Sequence, residues 1–302
     1  MASPVQRRSV PSSKVQNPET VSPAWLLKAL GLCIAGAVVL AYASVCLLVF
    51  LGGRQLLLHP SHQMGSMPGE PFQSIRFDAA ATGTPRLSGW WIPADSSTAR
   101  TVLYLHDGNG ALGANAPKLN LLHRAGVNIF AIDYRGFGES DSTSATEARM
   151  HEDAEAALTY LTETRHLAAT LILPYGEGLG AVLAANLASE HTNLPGLIID
   201  SPDPDAFARI SGDARTRWLP MHLLIPDHFD LRGALANARQ PKLLLADGPF
   251  GFEAERVRIN QALFATIPGP RLTVFFGNPH SEDAYLQSVG RFLDENVKVD
   301  TH

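Results

Sequence analysis

The stretch LPYGEGLGAV, Leu173 to Val182, decides how the rest of the chain is read. It joins an apolar, strand-like run to a helix-like run through three glycines, Gly176, Gly178 and Gly180. Small residues two before and two after a central position are what a crowded strand-to-helix turn demands, because neighbouring backbone leaves no room for larger side chains. Such a turn lifts its central residue above the edge of a sheet. Here that residue is Gly178, which has no side chain to present.

Outward from this turn the same alternation repeats. Short, nearly continuous apolar runs (TVLYLH, VNIFAIDY, ATLILPYG, GLIID, PKLLLAD, RLTVFFG) are interleaved with segments of helical periodicity such as TEARMHEDAEAALTYL and GAVLAANLASE. Continuous apolar runs suit strands covered on both faces, and their alternation with helices implies parallel pairing through right-handed crossovers. The runs FQSIRF and RLSGWWIP instead alternate apolar and polar residues, and predict an antiparallel pair at the start of the sheet. Between Ser201 and Gln240 the pattern is irregular, yet Trp218, Leu219, Met221, Leu223 and Leu224 are too apolar for a plain loop. This segment, 201–240, reads either as a short helical cover over one end of the sheet or as residues that complete the core.

Ahead of the folded region, residues 29–53 carry no charge. At about 1.5 Å per residue such a helix crosses a hydrocarbon core of roughly 30 Å with some tilt. Arg7, Arg8, Lys14 and Lys28 precede it against Glu19 alone, and Arg54 follows it. The excess of cations places the N-terminus, residues 1–28, in the cytoplasm and the folded domain on the outer side, the periplasm if the cell is Gram-negative. A cleaved signal peptide is the competing reading, since Ala41-Tyr42-Ala43 forms an A-x-A site. The long leader and the apolar run beyond that site favour an uncleaved single-pass anchor. Residues 54–71, rich in Pro, Gly and Ser, read as a tether, and 72–302 as the folded domain.

With 302 residues, 45% of them hydrophobic and 18% charged, the chain has enough material for one large α/β domain. A net charge of -5 without long basic runs gives no nucleic-acid footprint. Both cysteines, Cys33 and Cys46, lie in the apolar segment, so the domain beyond it has no disulfide framework, cysteine metal site or cysteine nucleophile. His59, His62, His151, His222 and His228 show no metal-ligand spacing, and GNGALG at Gly108 to Gly113 lacks the remaining parts of a phosphate loop. No cofactor and no metal are expected.

The motifs LYLHDGN, DYRGFGES (Asp133 to Ser140), GEGLG and GNPHSEDAY occur in an order and spacing that resemble the α/β-hydrolase fold. The resemblance is nearest to its membrane-anchored Bem46-like branch, related to prolyl-oligopeptidase-type and lysophospholipase-type serine hydrolases, with RQLLLHPS and GWWIP as further shared features. It implies a mostly parallel central sheet with helices on both faces, a nucleophile at the centre of the turn, a general base at His280, and an oxyanion hole. The hole's backbone donors would be the N–H groups of Gly108 and Leu179. Three departures accompany it. The nucleophile position is Gly178, and Glu177 cannot replace it because Tyr175 and Leu179 would then occupy the crowded flanking positions. Asp107 follows His106 where the branch shows glycine, placing a carboxylate beside a site meant for a developing negative charge unless it turns away. The acid signature is blurred: Asp247 and Glu253 are the candidates, with Asp200, Asp203 and Asp205 as a third option. Together these features predict a degenerate serine-hydrolase site, weakly catalytic or non-catalytic, binding an apolar or acyl ligand or a membrane protein. The alternative is an active ester, lipid or peptide hydrolase that uses a non-standard nucleophile or a water activated by His280.

Overall fold

The computed structural model describes residues 22–297 apart from 64, 70, 80–82, 97–98, 248–253 and 277–280. The chain divides into two units, Met1–Leu48 and Val49–His302. In the first, helix α1 (Pro23–Gly52) begins and carries exposed apolar side chains such as Leu32 and Leu40. Its length and composition suffice to cross a membrane.

The second unit is built on eight strands: β1 (Gln73–Asp78), β2 (Arg86–Ile92), β3 (Thr101–Leu105), β4 (Asn128–Asp133), β5 (Ile172–Glu177), β6 (Leu197–Asp200), β7 (Lys242–Asp247) and β8 (Arg271–Phe276). They lie in one sheet in the order β8-β7-β6-β5-β3-β4-β2-β1. The β1/β2 and β2/β4 pairs are antiparallel and all others parallel, with β3 between β4 and β5. Every residue of β3 is buried, which is why its run is apolar throughout.

Helices cover both faces. On one side α3 (Glu147–Thr159), α4 (Gly180–Glu190), α7 (Leu231–Asn237) and α8 (Ala254–Thr266) contribute Met150, Leu183, Leu235 and Leu263 to the larger core cluster. On the other, α2 (Ala116–His123) and α9 (Glu282–Asn296) bring Leu119, Leu122, Val289 and Phe292. Local sequence sets the helix starts: Thr146 Oγ1 accepts from Arg149 N–H at 3.2 Å, and Ser281 Oγ accepts from Ala284 N–H at 3.3 Å.

Two segments differ from expectation. Within 54–71 the chain packs instead of trailing as a tether: Leu57 and Leu58 are buried, and His59–Pro60 pairs in parallel with Asn109–Gly110. The apolar pair Leu57-Leu58 outweighs the Pro, Gly and Ser around it, since burying the two side chains removes apolar surface from water that a solvated link would leave exposed. Residues 201–240 hold α5 (Ala206–Gly212), α6 (Met221–Leu224) and α7, and their apolar side chains divide. Met221 is buried, whereas Trp218 and Leu223 are exposed. Arg54 ties the start of the domain to this segment, its Nε lying 2.6 Å from Asp227 Oδ2.

In the DYRGFGES motif, Arg135 is buried beyond the end of β4 and is held by α3. Its Nη2 lies 2.6 Å from Asp153 Oδ1 and 3.0 Å from Glu152, and its backbone N–H donates to Asp153 Oδ2 at 2.8 Å. Removing the fully buried Asp153 leaves the guanidinium with only the exposed Glu152. The Asp153→Ala variant is expected to lose about 3 kcal/mol, the low end for a broken buried ion pair, in denaturant unfolding of the detergent-solubilised chain.

Candidate functional site

The turn between β5 and α4 is as crowded as its glycines suggest. A Cβ on Gly180 would press into the Leu105 carbonyl oxygen and lie 2.7 Å from the His106 oxygen; one on Gly176 would meet Gly180 O and sit 2.5 Å from Ala181 Cα. Gly178 has a left-handed backbone, φ +56°. A Cβ there would fall inside the Asp107 carboxyl group, against Cγ and Oδ1 and 2.9 Å from Asp107 Cβ.

Asp107 therefore occupies the space that a side chain at 178 would take. Its Oδ1 accepts from the backbone N–H of Gly108 at 2.8 Å and of Leu179 at 2.9 Å, and its Oδ2 accepts from Asn109 Nδ2 at 2.7 Å. The carboxylate thus faces into the turn and does not turn away, so it stands where a developing negative charge would have to form. Two N–H groups converging at the start of a helix favour an anion, and the missing side chain at 178 gives that anion room.

Beneath the turn lies a polar network that sequence reasoning missed. Glu177 closes β5 and accepts from Tyr104 O–H on β3. Asp200 closes β6, accepts from Tyr175 O–H and from Ser201 Oγ at 2.9 Å, and lies 2.6 Å from Lys118 Nζ of α2. Tyr175 and Tyr285 share a hydrogen bond of 2.7 Å. Burial, the largest influence, raises the Glu177 pKa against the pull of Lys118. For Asp200 burial also works upward, but Lys118 and the donated hydrogen bonds prevail and hold its pKa below the usual carboxylate value. The only forewarning in the sequence was a tyrosine inside each of two otherwise aliphatic runs, TVLYL and ILPYG.

A cavity of 560 Å³ opens above this network, lined among others by Asp107, Glu177, Gly178, Ser201, Arg209 and Arg256. Its size suits a small organic ligand. Of the residues singled out from the sequence, Gly108, Leu179 and Gly178 come together around Asp107. Asp247 is the last residue of β7, paired with Phe276 of β8. His280 and Glu253 lie outside the described residues. Asp200 is taken up by Lys118; Asp203 lines the cavity and is paired with Arg209; Asp205 immediately precedes α5.

His106, between β3 and Asp107, is fully buried. Its Nδ1–H donates to the Asp107 carbonyl at 2.5 Å, while Nε2 has no partner and lies 3.7 Å from Asp133 Oδ1. Burial lowers the His106 pKa to about 4 and raises that of Asp133 to about 7, the latter against the N–H that Leu112 donates to it at 2.9 Å.

An eight-stranded sheet in this order, with a tight turn after its fifth strand and a donor loop after its third, defines an α/β-hydrolase fold. The sequence matches the family described as serine aminopeptidase, S33, over residues 96–218. It is 35% identical to the uncharacterized protein YfhR of Salmonella typhimurium, over 73% of this chain and 78% of that one. It is 33% identical to the protein Bem46 of Schizosaccharomyces pombe, over 65% of this chain and 68% of that one. The chain belongs to the Bem46-like branch of the α/β-hydrolase superfamily. Among solved structures, a Vibrio vulnificus α/β hydrolase superposes with a TM-score of 0.58 at 23% identity, covering 74% of this chain and 81% of that one.

Two expected outcomes follow from this geometry. Gly178→Ser alone should cost about 1–3 kcal/mol through overpacking against Asp107. In a double-mutant cycle read by denaturant unfolding, Gly178→Ser should cost at least about 1 kcal/mol less in the Asp107→Gly background than in the parent, the strain of the left-handed backbone remaining in both. The second outcome concerns pH. From about pH 4 to 6.5 the folded pair keeps one proton, on Asp133, and the unfolded pair keeps one, on His106. The two slopes then cancel: stability from Asp133 falls as pH rises, and stability from His106 rises. Asp133→Asn leaves the His106 slope alone, so the variant should gain stability relative to the parent between about pH 4 and 6.5, as measured by denaturation midpoints.

Proposed function

We propose that this is a membrane-anchored protein of the α/β-hydrolase fold whose cleft binds without running acyl-enzyme chemistry. The observation that carries this reading is the Asp107 carboxylate, bonded to the N–H groups of Gly108 and Leu179 and filling the space beside Gly178. In a serine hydrolase of this fold those two N–H groups stabilise the oxyanion and the residue at 178 supplies the nucleophile. Here the donors already hold an anion, and the nucleophile position has no atom to attack with. Loss of a triad nucleophile costs on the order of a million-fold in turnover, and each oxyanion donor about a hundred-fold or more.

The lining favours an amphiphilic occupant. Leu57 and Ile210 offer apolar contact for an acyl or similar group, while Asn109, Asn115 and Ser201 line the polar side of the cavity. A membrane protein presenting such a side chain is the macromolecular version of the same ligand. The cations before the apolar helix support a cytoplasmic N-terminus with the domain on the outer side, periplasmic in a Gram-negative cell.

A hydrolytic reading rests on one observation, that Glu177 lines the cavity with its pKa raised by burial, as a general acid or base would require. Under it, water activated by Glu177 or His280 replaces the missing nucleophile.

The test treats the purified full chain with a fluorophosphonate probe and with short activated esters. No labelling and turnover at background are expected. Stoichiometric labelling, or ester turnover that disappears in His280→Ala, would overturn the binding-only reading.

A further inference from the structure

We propose that His151, Glu155 and Glu190 form a binding site for a zinc-class divalent cation that braces α3 against α4. His151 and Glu155 stand four residues apart on α3, so they share one face of that helix. Glu190 is the last residue of α4. The potential ligand atoms of the three side chains all lie within 4.8 Å of one another. His151 Nε2 and Glu190 Oε2 are 3.2 Å apart. Ligands about 2.0–2.1 Å from a tetrahedral zinc ion are separated by about 3.3–3.4 Å, so this pair already has the spacing of one edge of the coordination tetrahedron. Bringing Glu155 to the same spacing takes a side-chain adjustment of about 1 Å or so.

The surroundings point to a cation independently of that spacing. The site opens onto a groove of 810 Å³ lined by Asp78, Glu152, Glu155 and Glu163; Asp78 is paired with Arg86 and Glu152 with Arg135, so Glu155 and Glu163 carry its acidic character. Carboxylates on such a wall attract cations. His191, the residue after α4, bonds both oxygens of Glu155, at 3.0 and 2.8 Å, and so draws that carboxylate toward the end of α4 where Glu190 lies. His151 Nδ1 is buried with no hydrogen-bond partner among the described residues, and its Nε2 faces Glu190. The side chains of His151 and Glu190 are 27% and 50% exposed, which leaves room for water as a fourth ligand.

A mixed nitrogen and oxygen donor set favours zinc over magnesium, which prefers oxygen ligands and retains its own waters. The site lies at the far end of α4 from Gly178, about 16 Å away along a helix of eleven residues. It is therefore separate from the cleft. No spacing in the sequence could show it, because Glu190 reaches His151 only when α3 and α4 pack side by side.

The experiment uses the full chain in detergent, stripped with a chelator and titrated with zinc chloride by calorimetry, with thermal unfolding followed in parallel. The expected result is one saturable zinc site per chain and a melting midpoint that rises by a few degrees with zinc but not with magnesium. Glu190→Gln and His151→Gln should each weaken zinc binding about tenfold or more. If His151→Gln also lowers the metal-free melting midpoint, the half-exposed Glu190→Gln decides alone. Zinc binding in Glu190→Gln as tight as in the parent overturns the site, as does an equal thermal shift with magnesium or the lack of saturable binding.

Discussion

One carboxylate organises the functional end of this molecule. Asp107 links the loop after β3 to the first turn of α4 by accepting from Gly108 and Leu179, and Asn109 fixes its second oxygen. Left without a partner, each of those backbone donors would cost about 1–3 kcal/mol wherever water cannot replace the bond. A glycine at 178 is the condition for this arrangement, because any β-carbon there would compete for the same volume. The lack of a projecting side chain at the centre of the turn, where the cavity opens, derives from that exchange.

The layer below is held by the cation Lys118. Lys118 reaches from α2 to Asp200 and acts at longer range on Glu177, so two buried carboxyl groups share one compensating charge unequally. The group in direct contact stays ionised easily, and the other is pushed toward its protonated form. Tyr104, Tyr175 and Tyr285 then supply hydrogen bonds that the surrounding aliphatic side chains cannot. Burial raises the pKa of all three phenols well above the ordinary value, so they remain donors. The network crosses from the ends of β5 and β6 to α2 and α9, and so makes the polarity of the cavity floor a property of the whole sheet edge.

Much of the architecture was legible in the sequence because it is written in periodicity. The apolar runs and the glycines at 176 and 180 each have one physical explanation, and the structure uses it; the first two strands pair antiparallel as expected, although Arg86–Ile92 is buried beyond its first residue and is not half-exposed. The direction of the Asp107 side chain was not legible. It turns on which donors converge in space, and Leu179 is far from Asp107 along the chain. The packing of Leu57 and Leu58 was hidden by the composition of the residues around them, since a count of Pro, Gly and Ser says nothing of a short apolar triplet with a hydrophobic surface to cover. The buried tyrosines were hidden for a related reason: in a run such as TVLYL the ring counts as apolar, and only the fold reveals what its hydroxyl meets.

The interlock between positions 107 and 178 also limits the routes by which this cleft can change. A side chain gained first at 178 collides with the carboxyl group already there. A smaller residue gained first at 107 strips Gly108 and Leu179 of their acceptor while still providing nothing that could attack a substrate. Each single step is therefore a retreat from a satisfied arrangement. The two residues act as a ratchet, one that fixes the present form of the cleft by packing alone, whatever ligand it holds.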